Sequence, residues 1–95
     1  SLFPPLPGTL LPAYVLEGEP LAARCSVDGC SDCNITWYKN DSDKPVTTEE
    51  YSRIHQRNNL LWFIPANLED SGFYRCVIQN PESSYNEVEV KVFKN

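Results

Sequence analysis

The stretch Asp70-Ser71-Gly72-Phe73-Tyr74-Arg75-Cys76 decides the reading of this chain, together with Cys25 and Trp37 upstream of it. Cys76 lies 51 residues after Cys25, and Trp37 follows Cys25 by twelve. From Phe73 to Gln79 the pattern is that of a strand, with Tyr74, Cys76 and Ile78 on one face. Working outward, Leu60-Leu61-Trp62-Phe63-Ile64 is a compact apolar strand stopped by Pro65. Ile35-Thr36-Trp37-Tyr38-Lys39 alternates with Ile35 and Trp37 inward, and Leu21 to Val27 sets Leu21, Ala23, Cys25 and Val27 on one face. Tyr85 to Phe93 closes the chain, Val88, Val90 and Val92 alternating with Glu87, Glu89 and Lys91. Turn chemistry separates these pieces at Glu17–Pro20, Asp28–Cys33, Asn40–Lys44 and Asn80–Ser84. No amphipathic helix of three turns interrupts them. Six to eight short strands at this spacing predict an antiparallel sandwich or barrel.

The chain has 95 residues, enough for one small domain. Residues 1–13, with Pro4, Pro5, Pro7 and Pro12, read as an extended leader, and residues 14–95 as the single domain. It is 41% hydrophobic and 22% charged, which excludes a disordered chain. Thirteen acidic residues against eight basic ones give a net charge of −5. That argues against nucleic acid as a partner, because neutralising phosphates needs a basic face. No apolar run reaches the length of about 18 residues that spans a bilayer, so no direct membrane contact is expected of this segment. The N-terminal residues lack the basic start of an intact signal peptide, and the domain reads as a mature or trimmed piece of something larger. Four cysteines and two sequons, Asn34-Ile35-Thr36 and Asn40-Asp41-Ser42, favour an extracellular setting, with Asn34 and Asn40 as glycan acceptors. Asn40, in a turn, is sterically the easier of the two. Four cysteines allow three connectivities, and spacing alone does not choose among them.

The quoted stretch and its partners fit the immunoglobulin sandwich, in which each part has a mechanical role. The fold implies a Cys25–Cys76 bridge between the two sheets, with Trp37 packed on it. Tyr74, two residues before the second cysteine, fits the tyrosine corner. Asp70 sits where a carboxylate commonly meets an arginine, and Arg53 is the candidate. Leu61, Phe63 and Ala66 point into the core. The expected class is therefore all-β: an immunoglobulin-like antiparallel sandwich of seven or eight strands. The interval from Trp37 to Cys76 is short for two extra strands, which favours an intermediate or constant-like set. A bridge closing a loop of this length stabilises by roughly 4 kcal/mol, a large share of the about 5–15 kcal/mol that holds a domain together.

Cys30 and Cys33 read as a local bridge across the intervening loop or as two exposed thiols, with pairing to another chain as a further option. A redox pair needs a helix N-terminus, and zinc needs a second ligand pair; neither is in the sequence. His55, the single histidine, reads as a surface or half-buried polar residue. With no nucleophile or oxyanion site beside it, no catalytic set emerges, and neither enzyme activity nor a cofactor or metal is expected.

Three longer segments carry a narrower likeness. Ile35–Ser42, Ser52-Arg53-Ile54-His55-Gln56 and Leu61-Trp62-Phe63-Ile64-Pro65-Ala66, followed by Glu69-Asp70-Ser71-Gly72, resemble the first immunoglobulin domain of interleukin-1 receptor family proteins. The resemblance runs from about Leu16 to Phe93. It implies a non-catalytic ectodomain module of a cell-surface receptor or a secreted protein. Such a module binds an interleukin-1-family cytokine together with further immunoglobulin domains of the same receptor, as part of a signalling receptor or a decoy. First domains of that family usually carry a second bridge from the leader to a cysteine in a Ser-Tyr-Cys context. This chain reads Ser84-Tyr85-Asn86 there and has no cysteine in its leader, so both partners are missing together.

One candidate partner surface is Trp62 with Ile64, whose alternation with Leu61 and Phe63 turns them away from the core; a second is the Leu10–Leu16 segment, above all Leu11 and Tyr14. Trp62 is open to a second role, covered by the domain's own leader or neighbouring strand. The competing function is a cell-surface adhesion or structural module, which the generic sandwich features fit equally well.

Overall fold

The computed structural model describes residues 12–25, 33–79 and 83–95. Among them seven strands form two facing sheets: β1 (Ala13–Leu16), β2 (Leu21–Arg24), β3 (Asn34–Lys39), β4 (Ile54–Arg57), β5 (Leu60–Phe63), β6 (Gly72–Gln79) and β7 (Ser83–Phe93). A single 3-10 turn, Leu68–Asp70, lies between β5 and β6. One sheet has the order β1-β7-β6-β3, the other β2-β5-β4.

Register follows the side-chain period. Trp37 of β3 stands opposite Cys76 of β6, and Tyr74 of β6 opposite Val88 of β7, so the large inward side chains share one face. In the facing sheet Leu21 and Ile54 flank Phe63, and Ala23 and Gln56 flank Leu61. Trp37, Leu61, Phe63, Ala66, Cys76 and Val90 are fully buried at the centre of the core. The Cys25–Cys76 disulfide joins the sheets with a Cα–Cα separation of 6.0 Å. β4 and β5 are linked by a two-residue hairpin, Asn58-Asn59, with φ of 54° and 67°. Both residues take the left-handed conformation this tight turn demands, which asparagine tolerates better than most.

Two details depart from the sequence reading. β5 ends at Phe63, leaving Ile64 outside the strand with its N–H bonded to the Arg53 carbonyl at 2.9 Å. β1 pairs in parallel with β7, from Ala13 opposite Val90 to Leu16 opposite Phe93. That pairing holds the start of the domain to its last strand, and Val15 fills the core beside Val92.

Candidate interaction surface

The groups with the strongest local chemistry are used up by the fold. Arg53, just before β4, grips Asp70 at the end of the 3-10 turn: Nη1 donates to Oδ2 at 2.6 Å and Nη2 to Oδ1 at 2.9 Å. The Asn67 N–H adds a third bond to Oδ2 at 2.7 Å. Burial alone would raise the Asp70 carboxyl, but the bonds from Arg53 and Asn67 outweigh it and hold it below the usual carboxylate range. The Tyr74 hydroxyl donates to the Asp70 carbonyl at 2.8 Å. Burial first, and the Asp70 charge second, push the Tyr74 phenol up to about 12. Its ring meets Phe63 edge to face at 5.4 Å. This is a brace tying the 3-10 turn to both sheets.

A second polar cluster crosses the core. Gln56 accepts from the Trp37 backbone N–H through Oε1 at 3.0 Å and donates from Nε2 to the Val46 carbonyl at 2.6 Å. The Trp37 indole N–H donates to the Asn59 carbonyl at 3.1 Å, and Asn59 Nδ2 donates to the Cys33 carbonyl at 3.0 Å. Cys33 is buried and disulfide-bonded. Cys30, the partner proposed for it from sequence, and Leu11 lie outside the described residues. His55 corrects the expectation of a surface or half-buried residue: it is 4% exposed, with Nδ1 2.9 Å from the Ser52 carbonyl oxygen. Strand alternation places it on the outer side of β4, opposite Trp62.

What remains free is surface. On the outer face of the three-stranded sheet, Trp62 is half-buried, its Nε1 3.4 Å from the Arg57 carbonyl of β4. Ile64 beyond it is exposed. Tyr14 lies on the other side of the sandwich, on the outer face of the four-stranded sheet, 58% exposed. Trp62 and Tyr14 therefore do not form one surface. Instead Tyr14 stacks on Phe93 with centroids 5.8 Å apart and planes 17° from parallel, and exposed Leu16 lies beside Phe93. Along the same face run Phe73 and Tyr85, both exposed, and Arg75, whose guanidinium lies 5.1 Å from the centre of the Tyr38 ring. Of this face the sequence reading named Tyr14 and its segment but missed Phe73, Arg75, Tyr85 and Phe93. Its signal is the phase of β6: Tyr74, Cys76 and Ile78 inward means Phe73, Arg75 and Val77 outward. Tyrosine, phenylalanine and arginine together are the composition that protein interfaces favour.

Residues 4–93 match the family described as Immunoglobulin I-set domain. The chain belongs to that family. The match selects the intermediate set over the constant-like one, and the all-β sandwich read from the sequence is the fold found. This I-set domain is 63% identical to human Interleukin-1 receptor type 1 over 51 residues, which covers 54% of this chain and 9% of the receptor. It is 40% identical to human Interleukin-1 receptor type 2 over 92 residues, covering 86% of this chain and 23% of that protein. The I-set domain thus spans a tenth to a quarter of these relatives. Among solved structures, the ZIG-8 IG1 homodimer superposes with a TM-score of 0.68 at 22% identity, over 87% of this chain and 78% of that one; the likeness is one of fold. With interleukin-1 receptors as relatives, this I-set domain is of the extracellular type. Among the described residues no helix is long and apolar enough to cross a membrane.

Proposed function

We propose that this domain is the first immunoglobulin domain of an interleukin-1 receptor-like protein and contributes to binding an interleukin-1-family cytokine alongside further immunoglobulin domains. The observation that carries this reading is the 63% identity to human Interleukin-1 receptor type 1 across more than half of the chain. The role proposed is one of binding rather than catalysis: Arg53, Asp70 and Tyr74 are bonded to one another in the brace that holds the fold. The docking face assigned to it is the outer side of the four-stranded sheet at its Tyr14–Phe93 end, where two stacked rings and Leu16 offer a rigid apolar anchor with little ordering to lose.

The test is surface plasmon resonance on a protein that extends from this domain through the following one, with a panel of interleukin-1-family cytokines. The expected result is saturable binding to at least one cytokine, weakened at least tenfold by Tyr14→Ala, a change of about 1.4 kcal/mol. Binding to none of the panel, with self-association of the immobilised protein instead, would overturn the reading in favour of adhesion.

A further inference from the structure

The turn after β3 brings a modification signal and an exposed aromatic ring together. Asn40-Asp41-Ser42 is a sequon. The Asn40 N–H donates to the Phe73 carbonyl at 3.1 Å, and the Ser42 N–H to the Lys39 carbonyl at 2.9 Å. Arg75 Nη2 donates to the Ser42 carbonyl at 2.8 Å, so the turn is pinned onto β6. Tyr38 and Arg75 are cross-strand partners on the outer face. One period further along that face come Asn40 and Phe73. Both line a groove of about 440 Å³ between the turn and the start of β6. Phe73 is 45% exposed, and the preceding residue, Gly72, leaves open space where a side chain would stand.

We propose that Asn40 carries an N-linked oligosaccharide and that its first N-acetylglucosamine packs in this groove against the ring of Phe73. The proposal rests on the extracellular placement of the domain and is independent of which ligand the domain binds. In the attachment step, the Asn40 side-chain nitrogen displaces polyprenyl pyrophosphate from C1 of the first sugar of a lipid-linked oligosaccharide. A C–N bond forms as a C–O bond breaks, the pyrophosphate leaves with the electron pair, and the amide gives up one proton. The sugar then presents a face of C–H groups, weakly positive, to the negative face of the phenyl ring. Cross-strand neighbours lie close, with Cβ atoms about 5 Å apart, so the first sugar is the one within reach. The other sequon lacks this arrangement, because Asn34 stands opposite Gln79. A sugar at Asn40 covers Phe73 and confines protein docking on this face to the Tyr14–Phe93 end.

The chain is secreted from mammalian cells making oligomannose glycans, in an Asn34→Gln background so that one sequon remains. Mass spectrometry reads occupancy at Asn40, and an endoglycosidase then trims the glycan to its first sugar. The expected result is an occupied Asn40 and a one-sugar form that melts roughly 2–8 °C above Asn40→Gln, the span a stacking contact gives in a domain this small. Sugar proton resonances should shift upfield from the ring current. Phe73→Leu, which keeps apolar bulk without a π-face, should abolish both the melting difference and the upfield shift. An unoccupied Asn40, equal melting of the sugar-bearing and Asn40→Gln forms, or a difference that persists in Phe73→Leu would overturn the proposal. Cytokine binding is measured separately, so either proposal can fail alone.

Discussion

Arg53 and Asp70, seventeen residues apart in the chain, meet through two parallel hydrogen bonds of 2.6 and 2.9 Å. The two partners are unequally placed: the Asp70 side chain is buried, whereas that of Arg53 is about one-third exposed. Removing the arginine strands a buried carboxylate, while removing the carboxylate lets the guanidinium turn to water. Arg53→Met should therefore cost more, about 2–4 kcal/mol, than Asp70→Asn, about 1–2 kcal/mol, by urea denaturation at pH 7.

The same pair sets the acid response. Because the folded Asp70 carboxyl lies below its usual value, its stabilisation is complete above the unfolded pKa of about 3.9. It is lost as pH falls through the lower folded value. Denaturation midpoints measured from pH 6 to pH 2 should fall less steeply in Arg53→Met than in the wild type.

Tyr74→Phe deletes the 2.8 Å bond to the Asp70 carbonyl and leaves the ring in place. A loss of about 1 kcal/mol is expected, seen as a drop in Tm of roughly 4–8 °C. The wild-type phenol stays protonated to about 12, so any stability tied to it is intact below pH 10 and lost as pH rises towards 12. Ultraviolet titration of the wild type minus Tyr74→Phe should isolate this late tyrosinate.

Gln56→Ala leaves the Trp37 N–H and one bond of the Val46 carbonyl unmade inside the sandwich. About 2–4 kcal/mol should be lost, with faster hydrogen exchange at the Trp37 amide. Gln56→Glu should recover stability as pH falls, because only the protonated carboxyl can donate to Val46.

Cys25→Ala with Cys76→Ala removes the link between the sheets. The expected loss is roughly 4 kcal/mol. Circular dichroism should show the double variant melting roughly 15–30 °C below the wild type.

The strands that could be read in advance are those with one wet and one dry face. Ile35 and Trp37, and the valines at 88, 90 and 92, alternate because an antiparallel sandwich imposes a period of two. The parallel pairing of β1 escaped because its partner lies at the far end of the chain. His55 escaped because alternation places it on the outer side, where burial depends on neighbours that spacing does not reveal. The extent of the outer face of the four-stranded sheet beyond Tyr14 was hidden for a related reason. Phe73, Tyr14 and Phe93 come from three separate segments, and only the register shows that they share one side. That Trp62 and Tyr14 lie on opposite sides of the sandwich follows from the assignment of their strands to different sheets.

The parallel pairing of β1 with β7 has a mechanical consequence. Tension that pulls Ala13 backward and Phe93 forward drives the two strands past each other along their length. Their hydrogen bonds are then loaded side by side in shear instead of being unzipped in turn. The domain is built to resist stretching until that whole row gives way at once.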